Sequence, residues 1–113
     1  MADATTTFGT LKDAVRQFAA ERFWEPYHSP KNLSMALAVE AAELMEPFRW
    51  VEPEASRHLT ADAAKREAIA DELADVTILL LNLSMSLDID VSDAVAMKMR
   101  KNAVKYPPGQ TGV

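Results

Sequence analysis

The segment VEAAELMEPFRW (residues 39–50) spaces Glu40, Glu43 and Glu46 at intervals of three residues and places apolar residues between them. Side chains three positions apart lie on one side of an α-helix, so this segment predicts a helix that carries a row of carboxylates. Ionised carboxylates at this spacing repel each other by about 0.2–0.5 kcal/mol per pair. We therefore expect a positively charged group next to this row.

A second acidic pair occurs in EAIADELADV (residues 67–76), where Glu72 and Asp75 repeat the same spacing. Both predicted helices carry their acids among leucine and alanine residues, which favours carboxylates that face the interior of a helical protein. Unpaired charge in such a position is costly, and residues 33–45 contain no Lys or Arg that could neutralise it. A divalent cation held by both acidic pairs would relieve the burial and the repulsion together.

The predicted metal site consists of four carboxylates, from Glu40, Glu43, Glu72 and Asp75. Oxygen ligands without His or Cys favour hard cations, so Mg²⁺ is the first candidate and Mn²⁺ the second. A di-iron bundle would need Glu-x-x-His on two helices, but the one such spacing, Glu25 to His28, crosses Pro26 in a predicted loop. A single acidic pair is common on a solvated helix face, whereas two pairs among apolar residues favour the metal site.

The composition indicates one all-helical domain, because the 113 residues are 49% hydrophobic and include only three glycines. A net charge of −5 argues against a polynucleotide as the main partner. The absence of cysteine excludes disulfides and thiolate metal sites. The longest apolar run, VTILLLNL (residues 76–83), is shorter than a membrane span requires. The first ten residues do not resemble a secretory signal, so we expect a cytoplasmic location.

The periodicity predicts an antiparallel bundle of four helices between residues 8 and 106, with a disordered segment at 1–7 and a flexible tail at 107–113. The helices are expected at about 8–23, 33–48, 60–87 and from residue 90 or 92 to about 104. Expected N-caps are Asn32, Thr60, and either Asp90 or Ser92. Pro47 should end or kink the second helix.

The third predicted helix is apolar on nearly every side along VTILLLNLSMSL (residues 76–87). A helix of this kind needs to be surrounded by other elements, and four helices in one short chain rarely enclose one of their members. We therefore predict a homo-oligomer that forms through this helix.

Three further segments accompany the paired acids: FAAERFWEPYHSPKN (residues 18–32), FRW (48–50) and KMRKNAVKYP (98–107). With the E-x-x-E and E-x-x-D motifs, in this order, they resemble the MazG-like all-α nucleoside triphosphate pyrophosphohydrolases, and most closely the dCTP pyrophosphatase branch. The resemblance implies Mg²⁺ bound by the four acids and hydrolysis between the α and β phosphates to the monophosphate and pyrophosphate. It also implies a dimer or a tetramer.

The candidate substrate-binding residues come from the helix ends and from the last helix: Trp24, His28, Lys31, Asn32, Trp50, Lys98, Asn102 and Tyr106. The aromatic residues flank the acidic helix and could stack on a base, a use that the resemblance supports for His28 and Trp50. The last helix could present lysines to phosphate oxygens, or its charges could be a solvated face. Asn32 could equally be a cap. Either Glu40 or Glu43 is expected to orient or deprotonate the attacking water.

One position departs from the family pattern, because Leu79 stands where close relatives have a tyrosine near the sugar. The sugar preference is therefore open. The leading hypothesis is hydrolysis of dCTP or of a base-modified pyrimidine deoxynucleoside triphosphate. The alternatives are a pyrophosphohydrolase with little base selection and a non-catalytic helical module for oligomerisation or regulation.

Overall fold

A computed structural model describes residues 1–109, and within them all regular structure is helical. The α-helices are α1 (Phe8–Glu21), α2 (Pro30–Met45), the short α3 (Pro53–Ser56), α4 (Ala63–Ser86) and α5 (Val91–Lys105). Single 3₁₀ turns occur at Glu25–Tyr27, Glu46–Phe48 and Leu59–Ala61. The prediction of an all-helical chain is confirmed. No helix within this range is long and apolar enough to cross a membrane.

Hydroxyl and carboxylate side chains cap the four long helices, each by accepting the backbone N–H of the third residue of its helix. These caps are Thr7, Ser29, Asp62 and Asp90. Asp90 confirms one of our two alternatives for α5, whereas the predicted caps at Asn32 and Thr60 were wrong. Pro30 is already suited to the first turn of α2, so the helix begins earlier than expected and Ser29 caps it.

The prediction that Pro47 ends the second helix is confirmed, because α2 stops at Met45 and a 3₁₀ turn follows. Residues 1–7, for which we predict disorder, contain a turn in which the Thr5 amide donates to the Ala2 carbonyl at 2.9 Å. The predicted flexible tail extends beyond the described part of the chain, since residues 110–113 lie outside it.

The longest helix, α4, is the element against which the others pack. Its most extensive contacts are with α2, and α1 also lies against it. The buried apolar side chains come from these three helices: Ala19, Leu33, Ile69 and Leu81. The pairing of α2 with α4 is what brings the two acidic motifs together.

The last helix, α5, makes only weak contacts with the rest of the chain. One tether precedes it, where Lys12 Nζ donates to the Ile89 carbonyl at 2.9 Å. The radius of gyration is 16.7 Å, against about 13 Å for a compact domain of 100 residues. A single chain is therefore an open arrangement of helices with much apolar surface exposed.

Two helices end in Schellman motifs that have a non-glycine residue in the left-handed conformation. At the end of α1, Phe23 has φ +56°, its N–H donates to Ala20 O, and the Trp24 N–H donates to Ala19 O. At the end of α4, Asp88 has φ +52° in the same arrangement. The first motif fixes the direction in which the chain leaves α1 at Trp24.

Candidate metal and nucleotide site

The two acidic motifs meet where α2 packs against α4. Carboxylate oxygens of Glu40, Glu43 and Glu72 all lie within 4.8 Å of one another. Two of these acids are neighbours on α2, because a spacing of three residues places them on one side of the helix. The third reaches them from α4. The spacing within each helix was predictable from the sequence, and the structure adds that Glu72 of α4 reaches the pair on α2.

The fourth predicted acid, Asp75, lies one turn beyond Glu72 on α4 and outside this group of three. Its negative charge nevertheless acts on Glu40, and both residues line the same large cavity. Asp75 is therefore placed at the edge of the acidic cluster, on the side of the cavity.

The acidic cluster contains buried oxygens that lack a partner. Glu40 Oε2 and Glu72 Oε2 are both inaccessible to solvent and make no hydrogen bond within residues 1–109. Burial is the main cause that raises the pKa of Glu40 from 4.5 to about 7. The protonated Glu40 carboxyl can share its proton with the carboxylates of Glu43 and Glu72, which raises this pKa further. The negative charges of Glu43 and Asp75 act in the same direction.

No basic side chain of the described chain forms an ion pair with any of the four acids. The nearby Glu46 does have such a partner, because Arg49 Nη1 lies 3.5 Å from its Oε2, which is the arrangement of an ordinary surface pair. The unpartnered oxygens and the all-carboxylate donor set fit a hard divalent cation. Glu40, Glu43 and Glu72 could hold it, while Asp75 lies one turn further along α4, where its charge still acts on Glu40.

A cavity of about 1000 Å³ opens beside the cluster, between α1, α4 and the α1–α2 connection. Its wall is mainly apolar, with side chains such as Leu11, Val15 and Leu79, and it also includes Glu40 and Asp75. The cavity is thus large enough for a small organic molecule and has negative charge at one side.

Two of the predicted base-binding residues, Trp24 and His28, line this cavity. Their ring centroids are 6.4 Å apart, and the rings of Trp24 and Phe18 meet in a T-shaped arrangement with centroids 5.6 Å apart. Within the chain, Trp50 lies elsewhere: it is 82% exposed, with the Arg49 guanidinium 4.5 Å from its ring centroid.

Lys31 and Asn32 lie in the first turn of α2 and do not line the cavity. The Asn32 side-chain amide donates to the Tyr27 carbonyl at 3.2 Å, which ties the start of α2 to the preceding 3₁₀ turn. Lys98, Asn102 and Tyr106 lie on or directly after α5 and are also absent from the wall. A single chain therefore brings together the acids, Trp24 and His28, but not the remaining candidates.

The cavity also includes residues that we did not predict. Met1 and Asp3 reach its wall from the N-terminal segment, and Thr77 and Asn82 reach it from α4. Nothing in the sequence identifies the first two, because their position depends on how residues 1–7 fold back. Asn82 carried a usable signal, since it lies seven residues after Asp75 and thus on the same side of α4.

Comparison with known proteins identifies the family of this chain. The MazG-like family matches residues 35–111, a span that contains all four acids. The chain belongs to this family. It is 40% identical over 101 residues to dCTP pyrophosphatase 1 of Bos taurus, an alignment that covers 87% of the chain and 60% of the relative. The Homo sapiens protein of the same name is also 40% identical, with 59% of its length covered.

A solved structure is similar over nearly the whole fold. The crystal structure of a pyrophosphatase from Archaeoglobus fulgidus superposes with a TM-score of 0.80 and 34% identity, covering 95% of this chain and 98% of the other. The chain spans about 60% of the length of the mammalian relatives. Those proteins therefore contain sequence that has no counterpart in the matched region.

Proposed function

We propose that this member of the MazG-like family is a metal-dependent nucleoside triphosphate pyrophosphohydrolase. The observation that carries the proposal is the convergence of Glu40, Glu43 and Glu72 within 4.8 Å, with two buried oxygens that have no partner. The names of the relatives, dCTP pyrophosphatase 1 and pyrophosphatase, support the same reaction class. The products would be the nucleoside monophosphate and pyrophosphate.

Mg²⁺ is the proposed cation and Mn²⁺ the alternative, held by Glu40, Glu43, Glu72 and Asp75. When bound, such an ion neutralises phosphate oxygens and stabilises the charge that develops on the leaving pyrophosphate. The protein's own task is to position the triphosphate and a water molecule. Either Glu40 or Glu43 accepts a hydrogen bond from that water and takes its proton as it attacks the α-phosphorus.

The proposed substrate is dCTP or a modified pyrimidine deoxynucleoside triphosphate. Trp24 and His28 offer aromatic surfaces for a base in the cavity beside Glu40. The apolar wall around Leu79 is compatible with a deoxyribose, which lacks the 2′-hydroxyl. Lys31 and Asn32, at the start of α2, are proposed to add hydrogen bonds at the mouth of the site.

We also propose that the working form is a homo-oligomer, either a dimer or a tetramer, in which the helices complete a four-helix bundle. Apolar side chains of α4 and α5 are exposed in the single chain, among them Leu73 at 51% and Met99 at 65%. Covering them requires further protein surface. In the oligomer, the proposed substrate ligands outside the cavity would reach the pocket: Trp50, Lys98, Asn102 and Tyr106.

The test is pyrophosphate release from a panel of ribo- and deoxyribonucleoside triphosphates, including 5-substituted pyrimidines, with Mg²⁺ and then with EDTA. We expect release that needs the metal and is concentrated on dCTP-like substrates. Equal release from all bases would overturn the proposed base selection but keep the reaction. No release from any of them would overturn the reaction and leave a non-catalytic helical module.

A further inference from the structure

Asn82 is a polar side chain in a mainly apolar part of the cavity wall. It lies on α4, one turn beyond Leu79 and two turns beyond Asp75, and all three residues line the cavity. Intervals of four and three residues keep them in one row along the helix. A row that begins at the acidic cluster therefore ends in an amide.

The amide of Asn82 is available to a ligand. The residue is half-buried, and its side chain makes no hydrogen bond to any residue in the range 1–109. The neighbouring polar side chain, Thr77, differs in this respect, because its hydroxyl donates to the Leu73 carbonyl at 2.8 Å. The polar atoms of the Asn82 amide are not among the solvent-inaccessible atoms of the described chain, so a bound molecule could replace their hydrogen bonds to water.

The distance along α4 fits a nucleotide that is anchored by its phosphates. The seven residues from Asp75 to Asn82 correspond to about 10 Å of helix rise. A nucleoside triphosphate whose phosphates lie at the acids would extend its sugar past Leu79 and its base toward Asn82. The order of side chains in the row, acid, apolar, amide, matches the order phosphate, sugar, base.

We propose that Asn82 is a specificity-determining residue that hydrogen-bonds the Watson–Crick edge of a pyrimidine base, an inference that rests on the function proposed above. For cytosine, the Asn82 carbonyl accepts from the 4-amino group and the Asn82 amide N–H donates to N3. Both hydrogen bonds form side by side because the amide presents its acceptor and donors in one plane. A purine, being larger, would carry its edge to a different position in the same cavity.

The experiment compares dCTP with the triphosphate of 2-pyrimidinone deoxyriboside, which has the same ring but lacks the 4-amino group. For the full chain, we measure kcat/KM for both substrates and take the ratio. The same ratio is measured for Asn82→Leu, which keeps a similar volume and removes the amide, and for Thr77→Val. Thr77→Val is a matched control because it also removes a polar group from the same stretch of wall. Because both kcat/KM values of a ratio are measured on the same variant, the ratio does not depend on what fraction of that variant is folded.

We expect the original chain to prefer dCTP by about tenfold to a hundredfold, the range for losing a paired hydrogen bond to a base. The preference should fall to near unity in Asn82→Leu and persist in Thr77→Val. A preference below twofold in the original chain, or an equal preference in Asn82→Leu, would overturn the proposal while leaving the reaction intact. No turnover of either substrate by the original chain would instead overturn the proposed function, and the role of Asn82 with it.

A second role for Asn82 predicts a different result. If its amide pairs with another copy of the chain, Asn82→Leu should change the molecular mass measured by light scattering and leave the substrate ratio unchanged. That combination would overturn base recognition in favour of a contact between copies. An unchanged mass with a lost ratio supports base recognition.

Discussion

Glu40 on α2 and Glu72 on α4 face each other across the helix pair, and each has a buried Oε2 with no hydrogen-bond partner in the described chain. Two carboxylates in this relationship destabilise the folded protein unless a proton or a cation joins them. A proton or a cation bound between Glu40 and Glu72 would therefore stabilise the pair of helices, and no basic residue of the described chain supplies that charge.

Replacing Glu72 by Gln should weaken Mg²⁺ binding and, at the same time, reduce the repulsion in the metal-free cluster. Removing a group that only hydrogen-bonds a metal-coordinating side chain costs about 10- to 100-fold in metal affinity. Removing a coordinating carboxylate itself should cost at least as much. At 100 times its Kd, a ligand stabilises the original chain by about 2.7 kcal/mol. We therefore expect Mg²⁺ to raise the melting temperature of the original chain and to leave that of Glu72→Gln nearly unchanged.

The matched control is Glu67→Gln, which removes the same charge from an exposed position on α4 outside the cluster. Its response to Mg²⁺ should equal that of the original chain. An equal response in Glu72→Gln would show that this residue does not hold the cation.

Protonation of Glu40 should govern the pH dependence of stability in the metal-free protein. Because burial raises the pKa of Glu40 from 4.5 to about 7, the folded state binds a proton that the unfolded state has released across this interval. The contribution of Glu40 to the free energy of unfolding is therefore fully present below pH 4.5 and is lost as the pH rises through 7. Urea denaturation at a series of pH values in EDTA should detect this slope.

In Glu40→Gln the slope between pH 4.5 and 7 should become flatter, because the amide does not titrate. Mg²⁺ should have the opposite preference, since the cation competes with the proton for the carboxylate and binds more tightly at higher pH. A slope that is the same in both proteins would mean that another group is responsible.

The Schellman motif at the end of α1 predicts a stabilising substitution. Phe23 holds φ +56°, a conformation that costs a residue with a Cβ about 1–2 kcal/mol. Its side chain is 81% exposed, so little apolar burial is lost on its removal. Phe23→Gly should therefore raise the free energy of unfolding by about 1 kcal/mol, measured by chemical denaturation.

Arg22→Gly provides the control, because Arg22 has φ −106° and gains nothing from glycine. Arg22→Gly should lower the free energy of unfolding by at least about 0.5–1 kcal/mol, because it also removes the hydrogen bond from Arg22 Nη1 to the Phe18 carbonyl at 2.9 Å. If Phe23→Gly were also destabilised, the exposed ring would have to make a stabilising contact outside the single chain.

Substitutions of the two tryptophans distinguish a base site formed within one chain from a base site that an oligomer completes. Trp24 lines the cavity, so Trp24→Ala should raise KM for a pyrimidine deoxynucleoside triphosphate by about tenfold, the cost of a lost base–aromatic contact. The ring of Trp50 lies outside the cavity of its own chain, so its effect on KM should depend on the protein concentration at which oligomers form. Trp50→Ala should affect KM only where light scattering shows an oligomer. An effect on a monomer would contradict this assignment.

The parts of the fold and site that were predictable depend on short-range periodicity. Glu40 with Glu43, and Glu72 with Asp75, were identifiable because a three-residue interval fixes which side of a helix a residue occupies. The start of α2 was mispredicted because Asn32 and Ser29 are both good caps, and the choice depends on the backbone around Pro30. The cavity could not be predicted from the sequence, since its wall depends on how α1 and residues 1–7 pack against α4. No periodicity in the sequence specifies that packing.

The exposed face of α5 leads to a prediction about assembly. Val95, Met99, Asn102 and Tyr106 follow at intervals of four, three and four residues, so the apolar face of α5 also carries two proposed substrate ligands. If this face packs on a second copy, Met99→Glu should lower both the molecular mass and the activity per chain. We would measure mass by light scattering and pyrophosphate release at the same protein concentration.

Ala94→Glu adds the same charge to an exposed position about 140° around α5 from Met99, and should change neither property. Activity that falls in Met99→Glu at an unchanged mass would point to a contact of α5 with its own chain. Activity that stays constant while the mass falls would show that the acids, Trp24 and His28 suffice for turnover. In that case, Lys98, Asn102 and Tyr106 would lose their proposed place in the site. Because α5 makes only weak contacts within one chain, we expect mass and activity to fall together.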